Sequence, residues 1–161
     1  MHFSRITLKK MEILGINSAF LTLHCGQSNF NKTDVEDLTK HKMDSEEMHI
    51  NEECCKIVNQ AKDANRQVLA IGTTTQRAIE SACDTQHHIK PFDGWTNKFI
   101  FPQYSFNIAT SMLANFYTPE STLLMLTAAF GGYDNTMDAY AIAVKEGYRF
   151  GIYGDVMLIV D

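Results

Sequence analysis

The stretch whose residue types and spacing come nearest to chemistry is Gly72-Thr-Thr-Thr-Gln-Arg77. It follows an apolar run over residues 67–71 that reads as a short buried strand, and it leads into residues 78–82, which read as a helix. A strand, a Gly-Thr turn and a helix start together present the amides and hydroxyls of Gly72, Thr73 and Thr74 to an anion or a ribose. Many α/β proteins carry such a turn and bind nothing there, so alone it is a weak signal. Arg77, one turn into the helix, can reach a carboxylate or phosphate with its planar fork, or pair with Glu80 or Asp84 at the surface.

Two other places hold titratable groups. His41-Lys-Met-Asp-Ser-Glu46 clusters imidazole with carboxylates, which can exchange protons or bind metal, although an exposed polar loop has the same composition. His24 ends an apolar, β-branched run over residues 16–24 that reads as a strand covered on both faces, and a lone histidine there is more often a structural hydrogen-bonder than a catalyst. The cysteines, Cys25, Cys54, Cys55 and Cys83, have neither zinc-ligand spacing nor a disulfide framework, and they read as free, mostly buried thiols. No metal site is assigned, nor to the paired His87-His88.

The elements that would position these residues are legible in part. Ser4 caps a helix to Leu14 that Gly15 stops; Asn51 caps one with Cys54, Ile57, Val58 and Ala61 on a single face. Residues 31–50 and the Asp93-Gly-Trp95 segment read as polar connections, residues 99–102 as a strand ending in Pro102, and residues 104–112 as another strand and turn. Thr118, Pro119 and Glu120 suit the cap, first position and first turn of an apolar helix that Gly131-Gly132 ends. Thr136 would cap a helix to Glu146, before a closing strand to Ile159. Alternating strands and helices predict an α/β domain over residues 1–161, with a mixed or mostly parallel sheet flanked by helices. Ligands in such sheets bind beyond the carboxyl ends of the strands, where His24, the Gly72–Thr74 turn, Asn115-Phe116 and Asp155 could converge.

With 161 residues and 45% hydrophobic content, the chain has the composition of a soluble globular protein, and one core suffices to explain it. It has no bilayer-length apolar run and no secretory layout at the start, which predicts a cytoplasmic location without membrane contact. A net charge of −5 argues against gripping nucleic acid over the whole surface, while leaving room for a local basic patch.

Five motifs resemble one family in the same order. Asn115-Phe-Tyr-Thr-Pro-Glu-Ser-Thr-Leu-Leu-Met-Leu126 resembles the N-F-H-L-P-x-S-T-L-x-M-L signature of the S-adenosylmethionine:tRNA ribosyltransferase-isomerases of queuosine biosynthesis. Gly72-Thr-Thr-Thr-Gln-Arg77 is similar to their G-T-T-x-x-R, Thr22-Leu-His-Cys-Gly26 to T-L-H-V-G, and Tyr153-Gly-Asp155 to the start of Y-G-D-A-M. His41 to Glu46 is similar to H-x-M-H-S-E, with Asp44 in place of a His. The resemblance spans the chain but only the C-terminal half of the family, without its inserted β-barrel domain, so the N-terminal half could arrive as a separate chain, and a homo-oligomer is a further expectation.

The resemblance implies transfer and isomerisation of the ribosyl part of S-adenosylmethionine onto 7-aminomethyl-7-deazaguanine in tRNA, giving epoxyqueuosine. S-adenosylmethionine would be a co-substrate, with no permanently bound cofactor. The roles it implies are His24 or Glu46 as base, and Phe116 and Tyr117 as an aromatic wall for the sulfonium. Gly72, Thr73, Thr74, Arg77, Asn115, Ser121 and Asp155 would contact substrate. Tyr117 stands where the family has His, Thr118 where it has Leu, Ala114 where it commonly has Thr, and Gln27-Ser-Asn29 where it has a compact Gly-Thr turn. Changes inside motifs open a second class of function: a catalytically silent relative that binds a nucleoside or a partner protein.

Overall fold

The computed structural model describes residues 3–26, 35 and 37–160. The helices are α1 (Arg5–Ile13), α2 (Glu52–Asp63), α3 (Thr73–Ser81), α4 (Thr122–Gly131) and α5 (Tyr133–Lys145). The strands are β1 (Thr22–Leu23), β2 (Glu46–Ile50), β3 (Leu69–Ile71), β4 (Phe92–Thr96), β5 (Ser111–Asn115) and β6 (Val156–Val160). The class is mixed α/β, but the strands form two small sheets rather than one. β1-β2-β4 is antiparallel throughout; in β3-β5-β6 the first pair is parallel and the second antiparallel.

Several elements depart from the sequence expectation for identifiable reasons. Of residues 16–24 only Thr22 and Leu23 form a strand, at the edge of the antiparallel sheet, and Ile16 and Phe20 face solvent instead of being covered. Within residues 31–50, β2 alternates: Glu46, Met48 and Ile50 are buried, Glu47 and His49 exposed. A carboxylate at the first inward position hid that period. Asp93-Gly-Trp95 is the middle of β4, in register with Glu47, Met48 and His49. Residues 99–102 are not a strand; the Phe99 ring packs on His41 and Phe101.

Nor do residues 104–110 form a strand, since a buried carboxylate holds them. Glu80 accepts from the Tyr104 hydroxyl and from the backbone N–H groups of Asn107 and Ile108, at 2.9–3.1 Å. The strand begins only at Ser111. Asn51 caps α2 as expected, accepting from the Cys54 N–H at 2.8 Å.

The start of α4 is displaced by three residues. Glu120 takes a φ of +63°, so the helix cannot run through it, and Ser121 is the cap. The Ser121 hydroxyl donates to the Thr118 carbonyl at 2.8 Å and accepts from the Leu124 N–H at 3.2 Å. α5 likewise starts at Tyr133 and not at Thr136, which is buried inside it. Gly132, at φ +79°, ends α4 and opens α5 in a conformation that costs residues with a Cβ.

The core runs from Met48 and Ile50 of one sheet, through Ala78 and Ile79 of α3, to Ala70, Met112 and Ala114 of the other. All four cysteines are free; Cys54 and Cys55 are buried, Cys83 is half-buried and Cys25 is exposed. No described helix is long and apolar enough to cross a membrane. If Ser121 is the cap, Ser121→Ala will cost about 1 kcal/mol in urea unfolding, while Thr118→Ala stays within about 0.5 kcal/mol as an exposed substitution. Equal losses would return the cap to Thr118.

Candidate functional site

The site is built on α3, which is buried nearly all round. Gly72 makes its sharp entry from β3 possible at φ +95°, and the Gly72 N–H donates to the Leu113 carbonyl of β5 at 2.7 Å. The Thr run therefore belongs to the first turn of the helix itself. Thr73, 1% exposed, meets the Tyr117 hydroxyl through its own at 3.0 Å, so the Gly-Thr helix start and the segment after β5 adjoin.

One turn further on, Arg77 pairs with Glu46 at the start of β2, and not with Glu80 or Asp84 as its helical spacing suggests. Both side chains are at most 5% exposed. Glu46 also accepts from the Gly26 N–H just after β1, which ties that edge to the pair. Burial lowers the Arg77 guanidinium from its ordinary value, yet guanidinium remains charged in proteins, so a charged acceptor beside it is obligatory. The exposed Cys25 thiol lies within electrostatic reach of Arg77.

Beside this pair lies a cavity of about 10 Å³, bounded by Met43, Thr73, Thr74, Arg77, Phe99 and Thr122. That is room for roughly one water. Tyr117 is held from both sides: its N–H donates to the Tyr140 hydroxyl at 2.9 Å while its own hydroxyl meets Thr73. Burial pushes the Tyr117 phenol up from its ordinary value and the Tyr140 phenol up to about 12. Both are neutral hydroxyls at physiological pH.

The remaining candidates lie apart from this centre or face away from solvent. His24 is exposed, and its N–H donates to the Glu47 carbonyl at 2.8 Å. Phe116, 4% exposed, is enclosed by the rings of Tyr140, Tyr148 and Phe150, so its face is occupied by protein. Asn115 reaches the Ile152 carbonyl, and Asp155 holds Arg149 by a backbone bond of 2.8 Å and a side-chain bond of 3.0 Å. These two secure the turn before β6. Ser121 is engaged in its capping bonds. Residues 27–29 lie outside the described residues.

Sequence reasoning missed Met43, Phe99, Thr122 and Tyr140 as neighbours of this centre; each comes from a different segment, and only the tertiary fold brings them together. The described residues contain no cluster of three or more His, Cys, Asp or Glu that could hold a metal.

A mixed α/β chain whose Gly-Thr helix start meets the Asn115–Tyr117 segment, one turn before a buried ion pair on the same helix, is a class many proteins share and does not single out an enzyme. The comparisons are more specific: residues 1–159 match the family described as queuosine biosynthesis protein, and the chain belongs to that family. It is 63% identical over 161 residues to the S-adenosylmethionine:tRNA ribosyltransferase-isomerase of Bacteroides fragilis, covering all of this chain and 46% of the relative. The relative of the same name from Phocaeicola vulgatus is 61% identical over the same span. The crystal structure of S-adenosylmethionine tRNA ribosyltransferase from Thermotoga maritima superposes with a TM-score of 0.81 at 32% identity, over 99% of this chain and 50% of that one. The chain thus spans about half the length of the relatives it matches.

Adjacent buried residues of α3 give opposite expectations. Removing one partner of the ion pair, as in Arg77→Met or Glu46→Leu, will cost about 3–5 kcal/mol, and the double replacement will recover most of it. Gln76 is wholly buried with neither amide atom hydrogen-bonded among the described residues. Gln76→Leu will therefore be neutral or stabilising in thermal unfolding. Additive losses in the first set, or a clear loss from Gln76→Leu, would contradict this account of the helix.

Proposed function

We propose that this chain is the S-adenosylmethionine-handling part of a tRNA ribosyltransferase-isomerase. The overall reaction transfers and isomerises the ribosyl moiety of S-adenosylmethionine onto 7-aminomethyl-7-deazaguanine in tRNA, giving epoxyqueuosine with release of adenine and methionine. The observation that carries the reading is the contact of Thr73 with Tyr117, which sets the Gly-Thr helix start beside the Asn115–Tyr117 segment. Amides and hydroxyls at that helix start suit a ribose or a carboxylate.

The sulfonium of S-adenosylmethionine acidifies the adjoining C–H, so the reaction needs a proton acceptor. Glu46 is engaged by Arg77 and the Gly26 amide, which suits it to orient the guanidinium. His24 has an exposed ring, and we assign proton acceptance to it. Tyr117 offers the nearer aromatic face, since the ring of Phe116 is enclosed.

A cavity of about 10 Å³ cannot hold a nucleoside, whose pockets run to roughly 300 Å³ or more. The site is accordingly completed by the part of a family member that this chain does not span, arriving as a separate polypeptide or joined to it. tRNA would be gripped in the assembled protein, because a net charge of −5 leaves only a local patch for phosphates here. The same small cavity favours one alternative, a silent relative that binds a partner without turnover.

Incubation with S-adenosylmethionine and precursor-containing tRNA, followed by nucleoside mass spectrometry, distinguishes these readings. Epoxyqueuosine will form when the chain is co-expressed with the remaining portion of the Bacteroides fragilis relative, and not with the chain alone. Failure of the pair would favour the silent relative, whereas multiple turnover by the chain alone would overturn the incomplete-site argument. In the active pair, Thr73→Val will weaken S-adenosylmethionine binding in calorimetry by roughly 1–3 kcal/mol, the cost of an unsatisfied buried polar partner.

A further inference from the structure

The sheet β1-β2-β4 turns one side toward α3, through the Glu46–Arg77 pair and the Ser81–Thr96 hydroxyl contact, and leaves the other to solvent. Thr22 is in register with His49 and Leu23 with Met48; the next pair along is His24 with Glu47, joined by the backbone bond of 2.8 Å. Glu47 is in register with Trp95, and His49 with Asp93. Cross-strand partners project from the same side of a sheet while successive residues alternate. Two rows therefore cross the open face, His24-Glu47-Trp95 and Thr22-His49-Asp93, while Met48, Ile50 and Thr96 point inward.

All six residues of these rows are exposed, and His49 Nδ1 lies 3.5 Å from Asp93 Oδ2. Trp95, the chain's one tryptophan, is 65% exposed, although indoles are ordinarily among the more buried side chains. An aromatic ring displayed on an open sheet face is a stacking platform for an unpaired nucleobase. None of the six residues is Lys or Arg, so the face offers phosphates no counter-charge. Its charges are carboxylates, and a carboxylate beside the ring selects a base edge that donates two N–H groups in parallel. A guanine-type edge does so and an adenine edge does not.

We propose that Trp95 and Glu47 bind the 7-deazaguanine base of the tRNA substrate on this face, the indole stacking on the base and the carboxylate accepting from its N–H edge. The proposal rests on the reading of the chain as part of a tRNA ribosyltransferase-isomerase, and it names the surface that meets the base. Neighbouring strands lie about 4.8 Å apart, so His24 ends the same row roughly 10 Å from Trp95. That spacing leaves room for the aminomethyl group of a stacked base to turn toward His24. The face lies across the sheet from Glu46 and Arg77, and the two sides meet round the edge at His24–Gly26, where the Gly26 amide donates to Glu46.

The single tryptophan reports on its own ligand. With the chain alone, 7-aminomethyl-7-deazaguanine will quench the fluorescence saturably, at concentrations about tenfold below those needed for adenosine or S-adenosylmethionine. Glu47→Gln will remove that preference. In calorimetry Trp95→Ala will weaken binding about tenfold and Trp95→Phe less, both with the circular dichroism of the wild type. Tyr133→Ala, which removes an exposed ring on α5, will change nothing. If Trp95→Ala does not fold, Trp95→Phe and Glu47→Gln are read in its place. In the active pair, Glu47→Gln and Trp95→Phe will raise KM for precursor-containing tRNA and leave KM for S-adenosylmethionine unchanged. Tighter binding of adenosine would assign the face to the adenine of S-adenosylmethionine and overturn the proposal, as would quenching that ignores these substitutions. An active pair whose KM for tRNA ignores them would overturn the platform and leave the reaction standing. Base binding by the chain without epoxyqueuosine from the pair would overturn the functional reading and leave the platform.

Discussion

The buried pair of Glu46 and Arg77 is the constraint on which the rest of the arrangement depends. It joins the first residue of β2 to α3, and so links the antiparallel sheet to the helix that packs on the mixed one. Leaving either charge unpaired in that position would be costly, so the pair favours the placement that brings Glu46 to Arg77.

The same helix meets the other half of its polar requirement one turn on. Glu80, also wholly buried, satisfies the backbone of residues 107 and 108 and the Tyr104 hydroxyl, while Lys62 from α2 donates to the Asn107 carbonyl. These bonds replace a strand ladder that residues 104–110 do not make, and they deliver the chain to Ser111 at the register that sets β5 against β3. Thr73, Arg77 and Glu80 thus form a polar seam along α3, in which each residue fixes a different neighbouring segment.

What was legible in the sequence was local. The Asn51 cap, the strand leading to Gly72, the Gly132 break and the last strand each depend on residues within a few positions of one another. The failures share one physical origin, polar groups acting at long range. Glu46 turned a half-buried strand into an apparent polar loop because its partner lies 31 positions away at Arg77. Glu80 turned an apparent strand into a tethered loop. The shift of the α4 cap from Thr118 to Ser121 turns on the positive φ of Glu120, which the sequence does not reveal. Of the candidate site, the Gly-Thr helix start was readable and its contact with Tyr117 was not, since 44 positions separate the two hydroxyls.

Tyr117 bears on the proton chemistry more than its position in an aromatic segment suggests. The family pattern has a histidine there, a group that titrates near neutrality. Here the phenol is partly desolvated and bonded to Thr73, and burial raises it above an already alkaline range, so it can donate or accept a hydrogen bond but cannot take a proton at pH 7. Its neighbour Tyr140 is neutral for the same reason. In the proposed reaction the tyrosines therefore hold and orient, and the proton acceptance we assign falls to His24, exposed two residues before the Gly26 amide that Glu46 engages. A fixed ion pair and neutral hydroxyls hold and orient without exchanging protons, so in the proposed reaction binding and proton transfer fall to different residues.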